Sequence, residues 1–445
     1  MVKNIYWQEL KGTLALGLPL IFTQLLGQAQ QVIDTVMAGQ HDALTLSAVS
    51  IASQMFALVY LLMIGIGVAI SATISRYHGK NDRIHIRRSF QQSVWLMFFL
   101  TILAFMLICL SAFVPDLIGS EENIAREAKK YLLTLAPCGA ILILSMAPRF
   151  FLEGMAFPRP NIIIQLWLLP LNVFLNWAFL SGWSIFPALG AQGMAIATAI
   201  CYLLYTVLIF TQLFRDVHWR SLRLFRHFSP PQMVQMSALL RIGIPISLAI
   251  IMEAALFFSI GLIVSRSNVI NTGANQIALN FSSLIFMVPL GLSSALTVRV
   301  SNAIGRQDLM TTRIRSISGI ALSAGLMLCS AIMMLLFGDY IANFYSDDAQ
   351  IIPIAEGILG VVAIFQIFDG IQVSAAGVLR GMHDTKIAMI YAFIGYWLLG
   401  FPLGLFFAYV LGYGIYGLWS GIACGLFVNA TLGTRRVWQK IKPNH

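Results

Sequence analysis

Runs of eighteen or more mostly apolar residues recur from one end of this chain to the other. They lie near 13–36, 46–75, 90–114, 131–153, 162–181 and 190–214, and again near 238–265, 273–301, 315–337, 352–379, 387–410 and 414–434. Each is long enough to carry a helix across a hydrocarbon core about 30 Å thick. Within such a core the backbone must bond to itself, which runs of this length achieve as helices. The expected fold class is therefore all-α integral membrane, with about twelve transmembrane helices. Composition agrees: of 445 residues only 10% are charged, against roughly 25% in a soluble domain. No long polar segment remains for a water-soluble domain. The first run, preceded by Glu9 and Lys11, is too long for the apolar region of a cleaved leader and reads as a permanent span.

The net charge of +10 is distributed as a membrane requires rather than as a nucleic-acid surface would be. If both ends face the cytoplasm, the outer segments hold only Arg126, Lys129, Lys130 and Arg266 of the 28 Lys and Arg residues. Every other basic residue falls in the inner segments or at the inner ends of spans, and this asymmetry predicts the orientation. A missed span would scramble it, so an even number of spans is expected.

The two halves resemble one another. An offset of 226 pairs Pro19 with Pro245, Ala48 with Ala274, Gly65 with Gly291, Gly79 with Gly305 and Asp82 with Asp308; an offset of 227 pairs Gly154 with Gly381. Six spans per half make the repeats parallel, related by an axis along the membrane normal. The expected organisation is an N-terminal six-helix lobe over 1–214, a cytoplasmic connection over 215–237 and a C-terminal lobe over 238–445. Two matched bundles about a central cavity suit a carrier that works by alternating access. Pro19 and Pro245, with Pro289, interrupt spans and are candidate hinges.

Three acids lie well inside spans: Asp34 in the first, Glu253 in the seventh and Asp369 in the tenth. No Lys or Arg is expected to attend them within the membrane. A charge at the bilayer centre costs about 2.5–3.5 kcal/mol even on insertion scales, so such groups are cation- or proton-site candidates. The repeat sharpens this, because Glu253 corresponds to Gly27 and Asp34 to Ile260. Scaffold positions are shared; carboxylates are not. Desolvation favours the neutral form of a carboxyl, whereas a cationic ligand favours the ionised form. Proton and organic cation would then compete for one alternating site, which is antiport.

Asn172 and Asn176 in the fifth span, Gln276 and Asn280 in the eighth and Gln366 in the tenth are polar candidates for a cavity wall. Helix-to-helix hydrogen bonding accounts for them equally well. Cys109, Cys138, Cys201, Cys329 and Cys424 form no CxxC pair, and neither a disulfide framework nor a zinc site is expected. Phosphate-binding, HExxH and GxSxG signatures are lacking, so neither an ATP-driven pump subunit nor a membrane enzyme is indicated.

LGLPLIFTQL and IGIPISLAI open the two halves. With them come VIDTVMAG around Asp34, IIMEAALF around Glu253, NQIALNFSSLIFMVPLG, and FQIFDGIQVSAAGVLRG around Asp369. Taken together, these resemble the multidrug and toxic compound extrusion family, in its NorM-type bacterial branch, over nearly the whole chain. The resemblance implies two pseudo-symmetric six-helix lobes forming a V-shaped cleft. It also implies a monomer in the bacterial inner membrane, exporting cationic drugs or dyes against inward sodium or protons, with no cofactor and no metal beyond sodium at Glu253 and Asp369. It makes Glu253 and Asp369 the second-lobe carboxylates for the coupling cation and Asp34 the first-lobe acid. It sets Ser53, Gln276 and Asp348 near bound substrate. Two departures leave the coupling ion open: Phe286 stands where some sodium-coupled relatives have Tyr, and Asn176 where proton-coupled relatives have Asp. The alternative within the superfamily, a lipid-linked saccharide flippase, would need a basic cavity for a diphosphate.

Overall fold

The computed structural model describes residues 2–117, 121–182, 187–226, 228–346 and 348–442. Among them, twelve helices are long and apolar enough to cross a membrane. In chain order these are α1 (Ile5–His41), α2 (Ala43–Gly79), α3 (Arg83–Leu117), α4 (Glu122–Gly154), α5 (Arg159–Ser181) and α6 (Gly190–Arg215). The second half supplies α7 (Met233–Ser265), α8 (Val269–Gly305), α9 (Leu309–Tyr345), α10 (Ile351–Gly381), α11 (Thr385–Val410) and α12 (Gly414–Ile441). No strand occurs among the described residues. Several helices outrun the apolar stretch that announces them, α9 by a turn or two at each end. Hydropathy senses only the oily middle of a helix, whereas the helix ends where its backbone is capped.

Those caps repeat between the halves. Asp42 accepts the Thr45 amide at 2.6 Å to start α2, and Asn268, 226 residues on, accepts the Asn271 amide at 2.6 Å to start α8. Asp82 caps α3 through the His85 amide at 3.1 Å, and Asp308 caps α9 through the Thr311 amide at 2.9 Å. The preceding Asn81 and Gln307 share a left-handed backbone, with φ of 56° and 60°. The pairing of Asp82 with Asp308 thus has a local cause: each satisfies an orphan amide at a helix N-terminus. Being hydrogen-bonded through the Thr311 side chain and amide, Asp308 is held below the usual carboxylate range. Asp82 is lowered likewise, first by the His85 amide.

The backbone resolves into two compact units, Phe22–Ser247 and Met1–Ile21 with Leu248–His445. The sequence-based boundaries at 214 and 238 differ from this division because α1 and α7 each belong to two units. The breaks after Ile21 and Ser247 are themselves 226 residues apart, two residues beyond Pro19 and Pro245.

Close packing explains the memberships. In the Phe22–Ser247 unit, the start of α7 lies on α2, where a side chain on Gly65 would overlap the Ser247 amide. Ser247 Oγ donates to the Leu62 carbonyl at 2.6 Å there. Met236 and Leu239 join a core containing Phe90 and Phe151, whose rings meet edge-on at 5.0 Å. In the other unit the start of α1 lies on α8 in the equivalent way. A Cβ on Gly291 would come within 2.6 Å of Ile21 Cα. At the centre of this unit α10 packs against α8, α9 and α12, with Phe365 stacked on Trp419 at 5.7 Å.

Candidate functional site

Each unit contains a cluster of polar side chains built around the acids anticipated above. In the Leu248–His445 unit, Asp369 is buried in α10 and Gln372 follows it by three residues, on nearly the same helix face. Gln372 Nε2 donates to Asp369 Oδ1 and to Glu253 Oε1 of α7, each at 3.2 Å. Its Oε1 accepts from Asn429 Nδ2 of α12 at 3.1 Å. Tyr396 of α11, only 1% exposed, hydrogen-bonds both Glu253 and Asn429. Four helices therefore converge on two carboxylates through one amide and one phenol.

Local structure helps to place the phenol. Residues Ile394–Gly400 of α11 run as a π-helix rather than an α-helix. Widened turns of this kind are frequent at functional sites because they re-aim side chains.

One expectation changes here. The acids are attended by a half-buried cation after all, since Arg380, in the last turn of α10, interacts electrostatically with Glu253. A second one, Arg149 of α4, pairs with buried Glu153 at 3.4 Å and donates to Tyr60 Oη at 2.9 Å in the other unit. In the sequence both arginines read as charges of the inner segments, because hydropathy cannot tell an ion pair near a span end from a loop charge. The amide that meets Asp369 is Gln372, whereas Gln366, a cavity-wall candidate, turns to α8. That residue donates to Ser282 Oγ of α8 at 3.2 Å. Gln366 and Gln372 flank Asp369 symmetrically and point about 120° apart at 100° per residue, so spacing alone cannot choose between them.

In the Phe22–Ser247 unit, Asp34 is half-buried and accepts from Asn176 Nδ2 at 2.6 Å. The same nitrogen approaches Asn172 Oδ1 at 3.2 Å. Asn176 Oδ1 is buried without a partner, so this cluster retains one free acceptor. Tyr131, 3% exposed, lies within electrostatic reach of Asp34 and hydrogen-bonds Ser53 and Thr198. Ser53 is thus joined to the Asp34 cluster through Tyr131.

Gln276 and Asn280 are exposed and bond to each other at 3.3 Å, one turn apart on α8. Asp348 is exposed between α9 and α10, where it accepts the Gln350 amide at 2.8 Å. The hydrogen bonds of these three do not reach the Glu253 and Asp369 cluster. Among the described residues, no three His, Cys, Asp or Glu side chains converge as a metal site would require. Gln372, Tyr396, Asn429 and Tyr131 went unremarked in the sequence. A polar residue in each of the eleventh and twelfth spans was the available signal, but amides and phenols inside spans are common packing elements.

With this geometry in hand, the chain can be set beside known proteins. The MatE family model matches residues 19–178 and again 245–406, starting at the paired prolines. The chain is 33% identical to a probable multidrug resistance protein NorM of Xylella fastidiosa, over 96% of this chain and 91% of the relative. It is 31% identical to multidrug resistance protein NorM of Aliivibrio fischeri, over 98% and 96%. It is also 31% identical to multidrug resistance protein MdtK of Proteus mirabilis, over 97% and 96%. A eukaryotic MATE transporter superposes with a TM-score of 0.86 at 19% identity, covering 98% of this chain and all of that one. An outward-facing multidrug resistance MATE transporter superposes with a TM-score of 0.87 at 18% identity, covering 97% and 96%.

Proposed function

This chain belongs to the MATE family of multi-pass multidrug efflux transporters, and we propose that it exports organic cations by antiport against an inward cation bound at Glu253 and Asp369. The observation that carries this reading is the bridge from Gln372 to both carboxylates, closed by Tyr396 and Asn429. An amide that donates to two acids holds their oxygens close without neutralising them. Carboxylate and phenol oxygens are also the donors that a hard monovalent cation prefers, by the oxygen-ligand rule established for calcium and magnesium. A proton serves the same role, because a desolvated carboxyl favours its neutral form.

Asp34 with Asn176 forms the corresponding acid of the other unit, and the free Asn176 amide oxygen suits a cationic guest. An incoming organic cation stabilises the ionised carboxylates and expels the proton or sodium. Ion entry supplies about 2.3 kcal/mol per charge per 100 mV of membrane potential, which drives the exchange in one direction. Ser53, Gln276, Asn280 and Asp348 are the outer contacts for the drug in this reading. The protein acts as a monomer in the bacterial inner membrane with both termini cytoplasmic, as the distribution of basic residues supports. A saccharide-diphosphate flippase fits less well, because acids dominate both clusters.

The test is dye efflux from proteoliposomes with sodium and proton gradients imposed separately. One gradient should drive efflux and the other should not. The Asp369→Asn variant should insert normally and lose the driven component; dye efflux by that variant at the parental rate would sink the reading.

A further inference from the structure

The connection after α6 carries a feature that export does not use. The geometry points to a binding site for the phosphate headgroup of an anionic phospholipid, built by Arg220, Arg223 and Arg226 at the end of α6. These three line a pocket of about 160 Å³ together with Phe214, Trp219 and Phe225. A drug-sized molecule needs about 300–1,000 Å³, so the volume suits a single small headgroup.

The arginines are brought together by tight backbone turns. Residues 216–226 turn through bonds three residues apart: Trp219 to Asp216, Arg223 to Arg220 and Arg226 to Arg223, at 3.1–3.2 Å for the arginine pair and its neighbour. Arg223 takes a left-handed backbone, with φ of 50°, so the segment is a succession of tight turns, and all three arginines line the pocket it encloses. Among the described residues none of the three guanidinium groups is ion-paired. The neighbouring acid, Asp216, is taken by His218 at 2.8 Å. Guanidinium groups present forked donors that match phosphate oxygens in pairs.

A second observation is independent of charge. Trp219 is 8% exposed, yet its indole Nε1 has no hydrogen-bond partner. A buried donor left unsatisfied costs about 1–3 kcal/mol, and an acceptor in the pocket that Trp219 lines would satisfy it. The walls are held in advance. Gln91 Nε2 of α3 donates to the Leu224 carbonyl at 2.8 Å, Trp95 Nε1 to the Ser229 carbonyl at 3.0 Å, and Gln92 Oε1 accepts the Gln232 amide at 2.7 Å.

The source is a lipid rather than free phosphate because apolar surface adjoins the arginines. Phe214 is 69% exposed and Val217 68% exposed, at the point where a transmembrane helix leaves the bilayer. Acyl chains would cover these side chains while the phosphate sits on the arginines, and basic pockets at such boundaries select anionic headgroups.

The experiment is native mass spectrometry of the full-length protein titrated with phosphatidylglycerol, with phosphatidylcholine and inorganic phosphate as separate arms. The parent should retain phosphatidylglycerol at a concentration at least about tenfold below that needed for phosphatidylcholine. Combined Arg220→Gln, Arg223→Gln and Arg226→Gln replacement should erase that preference. Trp219→Phe keeps the ring and removes the donor, so it should weaken phosphatidylglycerol retention severalfold without altering phosphatidylcholine retention; it carries the test if the triple variant does not fold. Equal preference in parent and Trp219→Phe and Arg223→Gln variants would overturn the proposal. So would inorganic phosphate displacing the lipid at equal concentration.

Discussion

Gln372 Nε2 lies 3.2 Å from Asp369 Oδ1, one turn along the same helix, and spends its other proton on Glu253. Both ends of its amide are engaged, because its oxygen also accepts from Asn429. Replacement by Leu leaves two carboxylates and the Asn429 amide short of partners in a buried setting, at about 1–3 kcal/mol for each unsatisfied group. The Gln372→Leu variant should therefore lose about tenfold or more in cation-driven dye efflux from everted vesicles. Gln366→Leu, which removes a bond to Ser282 only, should retain most of it. Equal losses in both variants would show that the bridge has no special part.

The contact of Gly291 with Ile21 leaves no room for a methyl group, since a Cβ would approach Ile21 Cα and N at 2.6 Å. Gly291→Ala should lower thermal stability by about 1–3 kcal/mol, the usual cost of overpacking. Gly27→Ala is the matched control, because a Cβ there meets nothing within 4 Å. It should be neutral or slightly stabilising. Melting of both variants by intrinsic fluorescence in the same detergent distinguishes these outcomes.

Asp308 caps α9, and loss of such a cap costs about 1 kcal/mol. Asp308→Ala should show that loss at neutral pH, whereas Asp308→Asn, which still accepts, should show little. The Thr311 hydroxyl and amide hold the folded carboxyl below the usual carboxylate range. The stabilisation from ionisation is therefore fully present above the unfolded value and disappears as pH falls through the folded one. Hydrogen exchange across the first turn of α9 should separate parent from Asp308→Ala at pH 7. As the pH falls through the folded value the parent should approach Asp308→Asn rather than Asp308→Ala, because a protonated carboxyl still accepts through its carbonyl oxygen.

Glu9 of α1 pairs with Arg299 of α8 and with Arg315 Nε of α9, the latter at 2.8 Å. The side chains are only 13–19% exposed, and Arg299 Nε has no partner. Removing the single carboxylate leaves two guanidinium groups facing one another. Glu9→Gln should destabilise by about 3 kcal/mol, at the low end for breaking a buried pair because some solvent reaches the site. Adding Arg299→Gln should recover part of that loss. A melting temperature unchanged in Glu9→Gln would mean that solvent already screens the network.

The number of spans, the two-fold repeat and the three intramembrane acids were all legible in the linear chain. Each is a matter of local hydropathy or of matching residues at a constant offset. The caps at Asp82 and Asp308 belong to the same class, because a cap binds an amide three residues away. Partner choice was not legible. Asn429 reaches Gln372 from 57 residues off, and Glu253 from 119. No periodicity reports which of two equivalent glutamines will face them.

By itself, then, the sequence determined an all-helical membrane chain of two repeats with acids in costly positions, because the bilayer leaves few alternatives to helices there. Only the tertiary structure decided that Gln372 rather than Gln366 joins the acids, that Arg380 lies near Glu253, and that α1 and α7 are each divided between units after Ile21 and Ser247. The physical reason is close packing. Whether a glycine admits a neighbouring backbone, and which polar group then meets which, depends on surfaces brought together from distant parts of the chain.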